Sequence, residues 1–227
     1  MIRHHPDEPL MAAFLAGSLP MGFNLAISAH VDCCRPCQRR FAELAERTSA
    51  DWVHDPSPGG DDLTPLLDRI MALPPDAPSR PVTSERSSGF VKVHDEVVEL
   101  PMVLADIANE GLSWKRIGKG IHQALLNVDT QTKCELIRLE PGVRVPRHGH
   151  MGQEIMLVLS GHIVDDWDTY GRTDFVHYTR NHCHGQVSDN GCLCLFVTDA
   201  PLKFTEGLPR LLNPLNYAKF WLQQRRA

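Results

Sequence analysis

Gly142-Val-Arg-Val-Pro-Arg-His148-Gly-His150-Met-Gly-Gln-Glu154-Ile-Met-Leu-Val-Leu-Ser-Gly161 decides how this 227-residue chain is read. Two histidines one residue apart share one face of a strand, because side chains alternate along it. A short loop can bring Glu154 back beside them. Glycines bracket the stretch, and an unbroken apolar run follows the glutamate, as expected of a strand buried on both faces. Neutral imidazole with a carboxylate oxygen suits zinc, iron(II), manganese or nickel. A His-x-His pair alone arises easily in a chain with 12 histidines. The whole spacing, Gly-x5-His-x-His-x3-Glu-x6-Gly, is far more selective.

Composition narrows the possible classes. An apolar content of 42% is that of an ordinary folded protein, and the length allows two modest domains or one large one. The net charge is −5 with both signs interspersed, so no basic face exists for direct nucleic-acid binding. The N-terminal Met-Ile-Arg-His-His-Pro-Asp-Glu lacks a signal-peptide core, and no run approaches about 18 apolar residues. No membrane segment and a cytoplasmic location are expected. Seven cysteines, at 33, 34, 37, 134, 183, 192 and 194, are an odd and clustered set. In a reducing compartment they read as ligands or free thiols rather than a disulfide framework.

Residues 1 to about 50 carry helical patterns. Pro6, acidic Asp7 and Glu8, and apolar Leu10, Met11, Phe14 and Leu15 predict one amphipathic helix that stops at Gly17. A second apolar segment runs from Met21 to about Val31, and a third helix begins near Pro36 and carries Phe41, Leu44, Ala45 and Thr48. Each is too short to stand alone. His30-x3-Cys34-x2-Cys37 sets three zinc ligands at the junction of two of these helices, and His4 or His5 can complete a tetrahedral site. The competing readings are a surface histidine with small buried cysteines, or a redox Cys-x-x-Cys, which no βαβ pattern supports. Cys33 does not fit the ligand spacing and is taken as structural.

Residues 51–60 read as a loop. Asp61 to Leu73 form a fourth amphipathic helix with Leu63, Leu66, Leu67, Ile70 and Met71 at helical spacing. Residues 74–88, with four prolines and four serines, read as a linker. Three units follow: 1–73, the linker 74–88, and 89–227. The last holds short β-rich segments at 90–93, 114–117, 121–126, 134–139, 154–159, 162–167 and 192–197, which suit a sandwich or barrel. The tail, with Tyr217, Phe220 and Trp221 at helical spacing, either caps the barrel or pairs two copies of the free chain into a homodimer.

The 142–161 stretch resembles the first motif of the cupins, which implies a small antiparallel β-barrel with one metal inside. By that resemblance a later histidine completes the set with His148, His150 and Glu154. Counting back from Cys192-Leu-Cys194 favours His182, whereas counting forward from Asp174 favours His184, which is preferred. Thr173 stands where the second cupin motif has a glycine.

Upstream, the His4-His5 pair, Leu10-Met-Ala-Ala-Phe-Leu-Ala-Gly-Ser-Leu19 and His30-x3-Cys34-x2-Cys37 look like a zinc-binding anti-sigma domain. With a barrel behind it, the chain resembles the ChrR family of anti-sigma factors. The likeness extends to Trp114–Leu126, Cys192-Leu-Cys194, Thr198–Phe204 and Leu208–Leu212. That resemblance implies His5 as the zinc ligand, with His4 in reserve. It also implies an α+β chain of a small all-α zinc domain and a cupin double-stranded β-helix. Its partner would be an extracytoplasmic-function sigma factor, released when the barrel, holding zinc or iron, manganese or nickel, senses singlet oxygen or organic peroxide. In the resembled family the fourth helix stands apart and grips the sigma factor; ordinary core is the other reading of its stripe. A non-enzymatic regulator is therefore expected. A dioxygenase-like cupin metalloenzyme is the alternative, but the N-terminal module has no evident use in one. A zinc-finger-like DNA binder is weakened by the negative charge.

Overall fold

The computed structural model describes residues 2–54, 64–72, 89–93 and 96–224. Helix α1 (Glu8–Leu15) is opened by Asp7, whose carboxylate accepts the Leu10 N–H at 2.9 Å. Pro9 rather than Pro6 occupies the first turn, where a missing N–H costs nothing. Gly17, at φ 63°, ends the helix in the left-handed region. Helix α2 is Met21–Cys33 and α3 is Arg35–His54. Residues 51–54, expected in a loop, thus continue α3; the rest of that loop lies outside the described residues. Helix α4 (Thr64–Met71) falls within the expected fourth helix, and Leu66, Leu67, Ile70 and Met71 are all exposed. Among the described residues they form no core. The linker 74–88 lies outside the described residues.

A hairpin of β1 (Gly89–Val93) and β2 (Glu96–Leu100) leads into α5 (Met102–Asn109), a helix the sequence reading did not anticipate. Eight residues are too few to be helical unaided; α5 packs on α2 and β1, burying Leu104, Ala105 and Ala108.

Ten strands follow: β3 (Trp114–Gly118), β4 (Ile121–Leu126), β5 (Lys133–Leu139), β6 (Val143–His150), β7 (Glu154–Val164), β8 (Thr169–Gly171), β9 (Phe175–Tyr178), β10 (Cys183–Ser188), β11 (Cys192–Thr198) and β12 (Leu202–Phe204). All pair antiparallel, in the order β12-β6-β10-β7-β11-β5-β4-β3, with β8 and β9 also on β7. Eleven-residue β7 runs beside β9 and β11 at its start and beside β8 and β10 at its end, so the sheet curls over itself. The strand expected at 162–167 is the end of β7 only as far as Val164; Asp165–Asp168 turn.

Strand periodicity divides the core. Ile137, Leu139, Met156, Val158, Tyr178, Cys192, Cys194 and Phe196 fill the barrel. Their sequence neighbours Leu136, Ile155, Leu157, Leu193, Leu195 and Val197 form the outer layer, packed with Phe23, Ala26 and Ile27 of α2. Each large apolar side chain buried there is worth about 1.5–3 kcal/mol. The helices therefore share a core with the barrel. Gly22 permits the approach: a Cβ there would fall against Thr132 Oγ1, Cys134 Sγ and Val197 Cγ1. Its N–H donates to Asp129 Oδ2 at 2.7 Å, placing a carboxylate at the start of α2.

The tail is a 3₁₀ turn (Leu208–Leu212) and α6 (Asn213–Gln224). Asn213 exchanges two hydrogen bonds with the Phe204 backbone, Asn216 donates to Leu202 O at 2.8 Å, and Phe220 is buried. The helix is thus tied to β12, the capping alternative.

Candidate metal centres

The first cluster forms where three helical segments meet. His5 precedes α1, His30 lies in the last turn of α2, Cys34 follows it, and Cys37 is in the first turn of α3. Nδ1 of His5 lies 3.4 Å from Nε2 of His30, 3.4 Å from Cys34 Sγ and 3.3 Å from Cys37 Sγ; His30 Nε2 is 3.3 Å from Cys37 Sγ. A tetrahedron with arms of about 2.0–2.3 Å has edges of about 3.3–3.8 Å. His30 donates its Nδ1–H to Thr173 O at 2.8 Å, which turns the Nε2 lone pair inward. Burial lowers the His30 pKa to about 4 and pushes the Cys37 thiol up to about 12, with the neighbouring Cys34 adding to the latter.

His4 points elsewhere: its Nε2 lies 3.2 Å from Asp168 Oδ2, and its backbone N–H donates to Asp174 Oδ1 at 3.1 Å. Cys33 is exposed and outside the cluster.

The second cluster lies inside the barrel. His148 and His150 share a face of β6, Glu154 opens β7, and the β6–β10 register sets His184 opposite His148. One ligand atom from each lies within 4.8 Å of the others, and all four residues are buried. His148 donates Nδ1–H to Pro146 O at 2.9 Å, and His184 donates Nδ1–H to Asp165 Oδ2 at 3.1 Å, leaving both Nε2 atoms to face the centre. His150 Nε2 stands 3.3 Å from His184 Nε2. Tyr178 stacks parallel to His150 at 5.5 Å and donates its O–H to Asp165 at 2.9 Å. His182 stands apart, its Nδ1 accepting the Thr179 N–H at 2.8 Å in the turn before β10.

The donor set fits a divalent cation. Oε1 of Glu154 is buried without a hydrogen-bond partner, a costly arrangement that a cation would relieve. Burial, with neighbouring imidazoles, lowers His148 to about 4 and His150 to about 3, so both keep a lone pair. Burial, with the nearby Glu135 carboxylate, raises Glu154 to about 8. Burial also opposes ionisation of Asp165, but hydrogen bonds from His184, the turn backbone and Tyr178 outweigh it and hold the carboxyl at about 2. Asp165 is thus an ionised partner for the His184 imidazole. Sequence reading missed Asp165, Thr173 and Tyr178; the run Asp165-Asp-Trp-Asp168 was the available signal, since three acids in four residues suit a turn better than a strand.

Three imidazoles and a carboxylate inside a curled antiparallel barrel, behind helices gathered on two imidazoles and two thiols, define a helical module joined to a cupin-like metal-site barrel. The ChrR Cupin-like domain family matches residues 104–203. Anti-sigma-E factor ChrR of Cereibacter sphaeroides is 31% identical over 218 residues, 94% of this chain and 97% of that protein. The chain belongs to the ChrR family of anti-sigma factors, which are regulators and not enzymes. A chain in the crystal structure of Rhodobacter sphaeroides SigE in complex with the anti-sigma ChrR matches with TM-score 0.69 at 26% identity, spanning 88% of this chain and 100% of that one. An RmlC-like cupin from Shewanella frigidimarina is 17% identical over 39% of this chain and 83% of its own, with TM-score 0.37. No helix among the described residues is long and apolar enough to cross a membrane.

Proposed function

We propose that this protein binds an extracytoplasmic-function sigma factor through its helical part, residues 1–73, and keeps it from RNA polymerase in the cytoplasm until a signal reaches the barrel. The observation that carries this reading is the likeness to an anti-sigma factor across 94% of the chain, which includes the helices that a lone barrel would not need. The exposed stripe Leu66, Leu67, Ile70 and Met71 on α4 supplies an apolar grip for the partner. His5, His30, Cys34 and Cys37 hold a structural zinc, which gathers short helices because metal-binding free energy is folding free energy in so small a unit. His148, His150, Glu154 and His184 hold a second divalent ion, zinc by preference, and their sealed position suits a sensor of small oxidants such as singlet oxygen or organic peroxide. Co-expression with a candidate sigma factor is the test. A stable complex that survives purification, persists in His150→Ala and is lost in Cys34→Ala supports the reading. Failure of the zinc-loaded full chain to retain any such sigma factor overturns it.

A further inference from the structure

One turn is held at one end by a ligand position of the barrel centre and at the other by the segment that leads into His5. Asp165 Oδ1 accepts the N–H groups of Trp167 at 2.9 Å and Asp168 at 3.0 Å, while Asp165 N–H donates to Asp168 O at 3.1 Å. The same carboxylate, through Oδ2, holds His184 Nδ1 at 3.1 Å and the Tyr178 hydroxyl at 2.9 Å. The shape of the turn is therefore tied to the position of a barrel ligand. At its far end, Asp168 Oδ1 accepts from Arg3 Nη2 at 3.1 Å, and Oδ2 lies 3.2 Å from His4 Nε2. Arg3 Nη2 also donates to Thr169 O. Arg3 and His4 lead directly into His5. Strand β9 makes a second rail: its first residue, Phe175, donates its N–H to His4 O at 3.1 Å, and its last, Tyr178, stacks on His150.

We propose that Asp165 and Asp168 are positioning residues shared by both centres, so that the Asp165–Asp168 turn couples barrel occupancy to the hold on His5. This rests on the reading that both clusters bind metal. Asp165 touches only barrel groups and its own turn, whereas Asp168 touches only the N-terminal segment and its own turn; each therefore has a near site and a far site. Coupling between two sites is reciprocal in binding free energy, so each residue affects its far site.

The test uses the full chain loaded with cobalt(II). Sulfur-to-cobalt charge-transfer absorption reports the His5–His30–Cys34–Cys37 centre alone, because the barrel set contains no thiol. Two metal equivalents in the unaltered chain establish the prior reading; fewer overturn that reading rather than the coupling. Asp165→Asn is expected to bleach the charge-transfer band several-fold faster under chelator, though it contacts no thiol-centre residue. Asp168→Asn is expected to lower metal affinity in the barrel several-fold, though it contacts no barrel ligand. Glu140→Gln, which breaks a surface pair with His122 away from both centres, is expected to change neither. Far-site values equal to those of the unaltered chain in both aspartate variants overturn the coupling, as does an equal effect from Glu140→Gln.

Discussion

Nδ1 of His30 donates to the carbonyl oxygen of Thr173 at 2.8 Å, so a residue of the helical cluster is oriented by the backbone of the barrel. His30→Ala removes both a candidate ligand and this tie. The expected outcome is a metal content falling from two equivalents to one, with loss of near-ultraviolet dichroism from the α2 contact. An unchanged metal count would exclude His30 from the cluster's chemistry.

Thr173 itself is strained. Its φ of 73° is the one positive value among the described non-glycine residues, and left-handed backbone costs a β-carbon residue about 1–2 kcal/mol. Thr173→Gly keeps the carbonyl that receives His30 and removes the clash, against a smaller entropic cost. A gain of up to about 1 kcal/mol in thermal or denaturant unfolding is expected.

Asp129 predicts a pH dependence. Burial pushes its pKa up, but N–H groups of Gly22, Thr132 and Gln131 and the Thr132 hydroxyl outweigh this and hold it below the ordinary value. A depressed carboxyl contributes stability that is present above its unfolded pKa and lost as pH falls through its folded one. Docking of α2 on the barrel is therefore expected to weaken in acid below about pH 4, and Asp129→Asn to lack that component of the acid transition. Unfolding followed by α2-sensitive dichroism measures both.

Gly22→Ala probes the same contact by volume. Its new Cβ meets Thr132, Cys134 and Val197; overpacking of this kind costs about 1–3 kcal/mol. The expected loss appears in urea unfolding of the whole chain. An unchanged midpoint would mean that α2 does not lie against β11 in solution.

Ile70→Asp on α4 separates partner binding from folding. Ile70 is 54% exposed, so the substitution is expected to leave unfolding and metal content within error while weakening capture of the sigma factor at least tenfold. Undiminished capture would move the grip elsewhere.

What could be read from the chain follows the range of the interactions. His148, His150 and Glu154 sit within seven residues, so strand alternation and one loop bring them together without knowledge of the fold. His184 depends on the β6–β10 register, and a two-residue step to His182 preserves side-chain parity, so periodicity could not separate them. Only the turn that ends before Cys183 does so. Helix α5 was invisible because its stability comes from packing on α2 and β1 rather than from its own eight residues. The same holds for α2 itself. Phe23, Ala26 and Ile27 read as an ordinary apolar stripe, and nothing local says that the surface they cover belongs to strands more than a hundred residues away.

That separation sets an order of events during synthesis. The apolar face of α2 is made early, yet Leu193, Leu195 and Val197, which it packs with, lie on the eleventh of twelve strands. Until the ribosome has delivered β11, Phe23 and Ile27 lack part of the surface they close on, and the N-terminal segment waits for Asp174, more than 160 residues downstream. Long-range contacts of this kind form late and slowly. The helices are translated first and finished last, so the nascent chain does not acquire a completed helical face until its barrel has closed.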